Sequence, residues 1–183
     1  GFNPYVYAPT APQLEALRDA SWSKINHPNY PAIYGPVAEL EFLATAAASS
    51  SIFAAKWLHV LWDILTVAVL GAILGRSGHR PHRAIVYGLC PLVLTAFAIE
   101  GHVDSLMLLF LALMTWAAVT NRFSLAGAAL GLALATKIVA IVLLPWFALK
   151  RPRACLIAIG VAVACYLPYA AAGWELFASL TRF

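Results

Sequence analysis

The chain has 183 residues, of which 62% are apolar and 11% charged, with a formal net charge of +4. Soluble domains carry about a quarter charged residues, so this composition excludes an ordinary water-soluble domain and points to an integral membrane protein, read from spans and loops. The basic residues cluster in short loops between apolar runs, which is a topology signal rather than a nucleic-acid footprint, and no nucleic-acid partner is expected.

Residues 1–35 read as an outer, extracytoplasmic loop. Pro4, Pro9, Pro12, Pro28 and Pro31 punctuate it and deny long helices, except for a short helix predicted around 13–23 with Pro12 in its first turn. Phe2, Tyr5, Tyr7, Trp22, Tyr30 and Tyr34 suit an ordered loop on the membrane interface. The segment has no signal-peptide pattern. It opens on Gly1, and residues 174–183 stop within an amphipathic stretch, so the chain reads as an internal piece of a longer protein.

Residues 36–50 follow as an interfacial helix. Their apolar part, 36–48, carries Glu39 and Glu41 and at about 1.5 Å per residue covers roughly 20 Å, less than the roughly 30 Å hydrocarbon core. Residues 51–173 form the transmembrane bundle. Its first span, 52–75, places Lys56, His59 and Asp63 on one helix face, with Lys56 and His59 read at the interface and Asp63 deeper. Arg76, Arg80 and Arg83 then make a basic loop, cytoplasmic by the positive-inside rule. A second span, 84–99, returns outward, and a third, 105–120, goes back in and ends at Arg122.

Residues 123–149 are interrupted by Lys137. Read as a re-entrant pair of half-helices turning at Thr136 and Lys137, they leave seven loop Lys and Arg inside (76, 80, 83, 122, 150, 151, 153) and three outside (18, 24, 182). One continuous span would leave five on each side, so the pair fits better; broken helices are tolerated where they line a cavity. The last span, 154–172, has a kink predicted at Pro168, and 174–183 begin a further outer segment. The expected fold is all-α: a polytopic membrane protein with about four full transmembrane helices, one re-entrant half-helix pair and an interfacial helix. Gly127 and Gly131 stand four apart, which permits close helix contact. Cys90, Cys155 and Cys165 lie in apolar runs and read as buried free thiols; no metal-ligand spacing is visible.

The chemistry concentrates at Glu100-Gly101-His102-Val103-Asp104, between two uncharged apolar runs. Charged groups at such a junction mark a functional site or an exposed polar turn; two carboxylates flanking an imidazole can orient a proton acceptor or bind a sugar hydroxyl. Lys137 reads either as the structural partner of Asp63 or as an ammonium offered to an anionic lipid phosphate. Asn26 and His27 in the outer loop are further polar candidates.

Taken in order, Gly1-Phe2-Asn3-Pro4-Tyr5, Asn26-His27-Pro28 and Ile33-Tyr34-Gly35-Pro36 resemble the first outer loop of polytopic GT-C glycosyltransferases, above all bacterial mannosyltransferase-like members using polyprenyl-phosphate sugars. The turn Glu100-Gly101-His102-Val103-Asp104-Ser105 resembles their short outer "GHxDS"-type motif. Ala126-Gly127 through Gly131 to Thr136-Lys137, with Pro145 beyond, resembles their glycine-rich helix ending in lysine. The likeness runs over nearly the whole chain. It implies inverting transfer, on the extracytoplasmic face of a bacterial plasma membrane, of a mannose-like hexose from a polyprenyl-phosphate-linked donor to a glycan or lipid acceptor. Asn26, His27, Tyr34, Glu100, His102, Asp104 and Lys137 are then the substrate-binding candidates. The family's principal acidic residues precede the "GxNPY" stretch, so the resemblance puts the catalytic base upstream of Gly1. It also finds Tyr34-Gly35-Pro36 where relatives often have Tyr-Pro-Pro. The rival readings are a transporter or lipid flippase, for which broken helices are equally natural, and a non-catalytic scaffold.

Overall fold

In the computed structural model, residues 2–49 and 51–178 are described; Gly1, Ser50 and the end of the 174–183 segment lie outside them. Among the described residues every regular element is helical. The chain forms two contact units, 35–165 and the pairing of 1–34 with 166–183.

In the first unit, prolines keep 2–34 almost free of helix. Two short 3₁₀ turns, Pro12–Leu17 and Trp22–Lys24, replace the single helix expected at 13–23. The chain turns extended at Arg18, whose guanidinium is held by Thr10 O at 2.9 Å. Order comes from Tyr5, which is fully buried: its hydroxyl donates to Tyr34 O at 2.9 Å, and its ring meets Tyr169 edge-on at 5.3 Å. Asn3 Oδ1 accepts from Tyr5 N–H at 3.0 Å while its amide reaches Tyr169 O. The Asn3-Pro4-Tyr5 run is therefore the structural anchor of this loop.

Among its described residues the second unit is built from eight helices: α1 (Pro36–Ala48), α2 (Ile52–Arg76), α3 (Pro81–Gly88), α4 (Pro91–Glu100), α5 (Asp104–Val119), α6 (Phe123–Thr136), α7 (Ile138–Lys150) and α8 (Pro152–Tyr166); the 3₁₀ stretch next in sequence, Leu167–Phe177, belongs to the first unit. Among the described residues two helices are long and apolar enough to cross a membrane, α2 and Pro152–Phe177, or three if α3 and α4 make one bent span. The continuous second span expected at 84–99 is instead bent by 54°. Pro91 is the cause: the residue before a proline is pushed out of the helical region, and Cys90 is extended (φ −64°, ψ 122°). In α4, Leu94–Glu100 is wound as a π-helix.

The packed centre is α6, whose buried face runs from Ala126 to Thr136. Small residues let neighbours approach where lipid removes the hydrophobic drive between helices. A Cβ on Gly127 would run into the Ala154 backbone, and one on Gly131 would lie 2.6 Å from Ala158 O; α8 thus seats directly on this stripe. All three cysteines are free, Cys155 buried and the other two half-buried.

Candidate functional site

Three structural events converge on one place. The first is the α4–α5 turn. Gly101 holds a left-handed φ of +75°, which favours glycine, and a Cβ there would have to displace the Lys56 side chain, whose Cγ would lie at 3.2 Å. His102 N–H donates back to Ala96 O at 2.9 Å, Val103 is buried, and α5 opens on Asp104, where a carboxylate suits the positive end of a helix.

The second is the end of α6. Thr136 is fully buried with its hydroxyl on Leu132 O, and Lys137 swings to an extended conformation (φ −150°, ψ 127°) before α7 begins. The third is the start of α1, where Gly35 N–H donates to Thr136 O at 3.0 Å.

These events bring Lys137 Nζ to 2.7 Å from Asp104 Oδ1, with both side chains partly open (38% and 26% exposed). The partner expected from the sequence, Asp63, is not the one Lys137 takes. Asp63 is buried on α2 beside Tyr87 of α3, and its Oδ1 has no hydrogen-bond partner among the described residues. The break at Lys137 delivers the ammonium to the helix-opening carboxylate instead. At the rim, His102 Nε2–H donates to Glu100 Oε2 at 2.9 Å, with both side chains about half exposed. Glu100, His102, Asp104 and Lys137 thus occur together. Asn26, His27 and Tyr34 belong to the other unit, where Asn26 and His27 are exposed, the His27 ring meets Tyr30 edge-on, and Tyr34 lends its carbonyl to Tyr5.

Behind the turn lies a buried polar cluster that the sequence reading did not assemble. His59, expected at the interface, is only 3% exposed; Ser105 Oγ and His59 Nδ1 share a hydrogen bond of 3.2 Å, and Glu41 Oε1 lies 3.5 Å from the same nitrogen. Trp62 Nε1–H donates to Glu41 Oε1 at 2.6 Å, while Glu41 Oε2 is buried without a partner among the described residues. The signal available in the sequence was the pair of glutamates in an otherwise apolar 36–48. Lys56, one turn before His59, donates to Ile99 O at 2.6 Å. Among the described residues no three His, Cys, Asp or Glu side chains are grouped to hold a metal.

Burial pushes the Glu39 carboxyl up to about 7 and raises Glu41 as well, the latter partly offset by the Trp62 hydrogen bond. A carboxyl whose folded-state pKa lies above its unfolded value holds its proton more tightly when folded. Ionising it therefore removes stability as pH rises from about the unfolded value, 4.5, through about 7. The melting temperature of the detergent-solubilised protein should fall between pH 5 and pH 8, and Glu39→Gln should flatten that fall; an unchanged slope in the variant would remove Glu39 as its source.

A family model described as alpha-(1->6)-mannopyranosyltransferase, N-terminal domain (the MptA_B family) matches residues 1–152. The chain belongs to this family. No curated protein and no solved structure gives a match. The mannosyltransferase domain is accordingly a membrane-embedded glycosyltransferase domain, with apolar helices of crossing length in its described residues. The motif quoted at its α4–α5 turn and the lysine at its α6 break meet in the Asp104–Lys137 pair.

Proposed function

We propose that the domain works in a GT-C-type enzyme of the bacterial plasma membrane, moving mannose from a polyprenyl-phosphate donor to a glycan or lipid acceptor on the extracytoplasmic face. The observation that carries this reading is the half-open Asp104–Lys137 pair beside the exposed Glu100–His102 pair. Lys137 has three donors, and Asp104 takes one of them; the others meet the donor's phosphate as a charge-assisted contact. Asp104 fixes the ammonium's position, and His102 with Glu100 receives sugar hydroxyls. In the transfer the acceptor oxygen bonds to the anomeric carbon as the bond from that carbon to the phosphate oxygen breaks. The lipid phosphate leaves with the electron pair, and the acceptor's proton goes to a carboxylate base. Glu100, His102 and Asp104 act as substrate-positioning groups. In this reading α3 and α4 form one bent span, α6 and α7 the re-entrant pair that turns at Lys137, and α1 lies at the interface.

The test is mannosyl transfer by the intact protein in membranes from a polyprenyl-phospho-mannose donor. Asp104→Asn and His102→Ala should each lower transfer about tenfold, the value of one hydrogen bond to a charged group. Full transfer by both variants would sink the assignment of the site. Solute uptake in liposomes without transfer would favour a transporter instead.

A further inference from the structure

We propose that Glu41 is a positioning residue for mannosyl transfer, acting through His59 and Ser105 on the opening turn of α5 that carries Asp104. The proposal rests on the reading of the Asp104–Lys137 pair given above. Ser105 follows Asp104 directly and is fully buried, so its hydrogen bond to His59 Nδ1 pins the start of α5 to α2. On the other side of the turn, Lys56 ties α2 to Ile99 O, and the His59 ring edge sits 3.7 Å from where a Gly101 Cβ would be. The α4–α5 turn is thus gripped from α2 both before and after Asp104.

The imidazole that makes the second grip has Glu41 beside it, and an Nδ1–H directed between Ser105 Oγ and Glu41 Oε1 would hold the ring against both. Glu41 Oε1 lies 3.5 Å from His59 Nδ1 and is itself held by Trp62 Nε1–H. Glu41 cannot meet a substrate directly, because its side chain is 4% exposed. A carboxyl at this depth with one oxygen unpartnered costs stability that an apolar side chain of similar volume would not. Its local use is to hold the ring that holds Ser105. A misplacement of about 1 Å in a reacting group costs up to roughly 100-fold in rate, so a small slackening at Ser105 reaches the donor pair one residue away.

The experiment is a double-mutant cycle in the intact protein, read as kcat and donor KM for mannosyl transfer, with folded protein quantified by fluorescence-detected size exclusion. Glu41→Ala and Ser105→Ala should each lower kcat about tenfold or more at an unchanged amount of folded protein and with donor KM little moved. The double variant should be no worse than the weaker single one, because both cut the same chain. Glu41→Gln, which keeps the acceptor for Trp62, should retain most activity. Additive losses, a loss carried by KM alone, or a loss matched by less folded protein would overturn the proposal. Should Glu41→Ala not accumulate, Ser105→Ala decides alone: it deletes one oxygen, and wild-type kcat there overturns the proposal. Wild-type transfer by Asp104→Asn would sink the donor-site reading itself; loss in Asp104→Asn with full rates in Glu41→Ala and Ser105→Ala would sink only this inference.

Discussion

Lys137→Met should lower mannosyl transfer about 100-fold, chiefly as a raised KM for the lipid-linked donor. A hydrogen bond to a charged group is worth about 1.5–3 kcal/mol, and each 1.36 kcal/mol is about tenfold in rate or affinity, so loss of the ammonium's phosphate contact reaches the upper end of that range. The geometry makes the ammonium hard to replace. Lys137 is extended at a helix break, held at 2.7 Å by Asp104, and open on 38% of its side-chain surface. Lys137→Arg keeps the charge, but its planar fork cannot occupy the place of a compact ammonium on the same carboxylate, so it should recover activity only in part. Donor titrations of transfer in membranes give both numbers. A wild-type KM in Lys137→Met would remove Lys137 from the donor site and leave its pair with Asp104 a structural one.

The place of Lys137 shows how far the sequence reaches. A lysine inside an apolar run marks a break, because an unpaired cation cannot face lipid, and α6 does end at Thr136. The glycine spacing at 127 and 131 is equally legible, since close helix approach needs small residues in register. Which carboxylate the lysine meets was not legible. Asp63 and Asp104 both lie in reach of a topology drawn on paper, and only the extended backbone at Lys137 with the Gly101 turn selects Asp104. The bend at Pro91 had its signal in plain view but is masked by the hydropathy of its neighbours. The Glu41–His59–Ser105 cluster joins the neighbouring helices α1 and α2 to the distant α5, and no periodicity within one segment encodes such a meeting. His59 sits on the predicted polar face of α2, but what makes that face buried is α1 and α5 packing over it.

Gly35 yields the second large effect. Its backbone (φ −74°, ψ 166°) is open to any residue, proline included, so conformational freedom is not why glycine stands there. Space is the reason. A Cβ at 35 would strike the Ala135 carbonyl, lying 2.6 Å from its carbon and 3.1 Å from Thr136 O, all backbone atoms that cannot rotate away. Proline would add the loss of the Gly35 N–H bond to Thr136 O. Gly35→Ala should therefore destabilise the protein by about 1–3 kcal/mol, the usual cost of forcing extra volume into a packed site, with Gly35→Pro worse by the missing hydrogen bond. The strain would fall on the two residues before Lys137, so transfer should drop even in the fraction that remains folded. Gly160→Ala is the internal control: beyond its own helix backbone and chain neighbours nothing lies within 4 Å of where a Cβ would be, and alanine in mid-helix should be neutral or stabilising by up to about 1 kcal/mol. Melting temperatures and specific activities of the two alanine variants, measured side by side in detergent, separate the readings. Equal behaviour at 35 and 160 would mean that α1 does not brace the α6 break; loss at 35 alone, in stability and in rate per folded molecule, would tie the placement of Lys137 to the seat of α1.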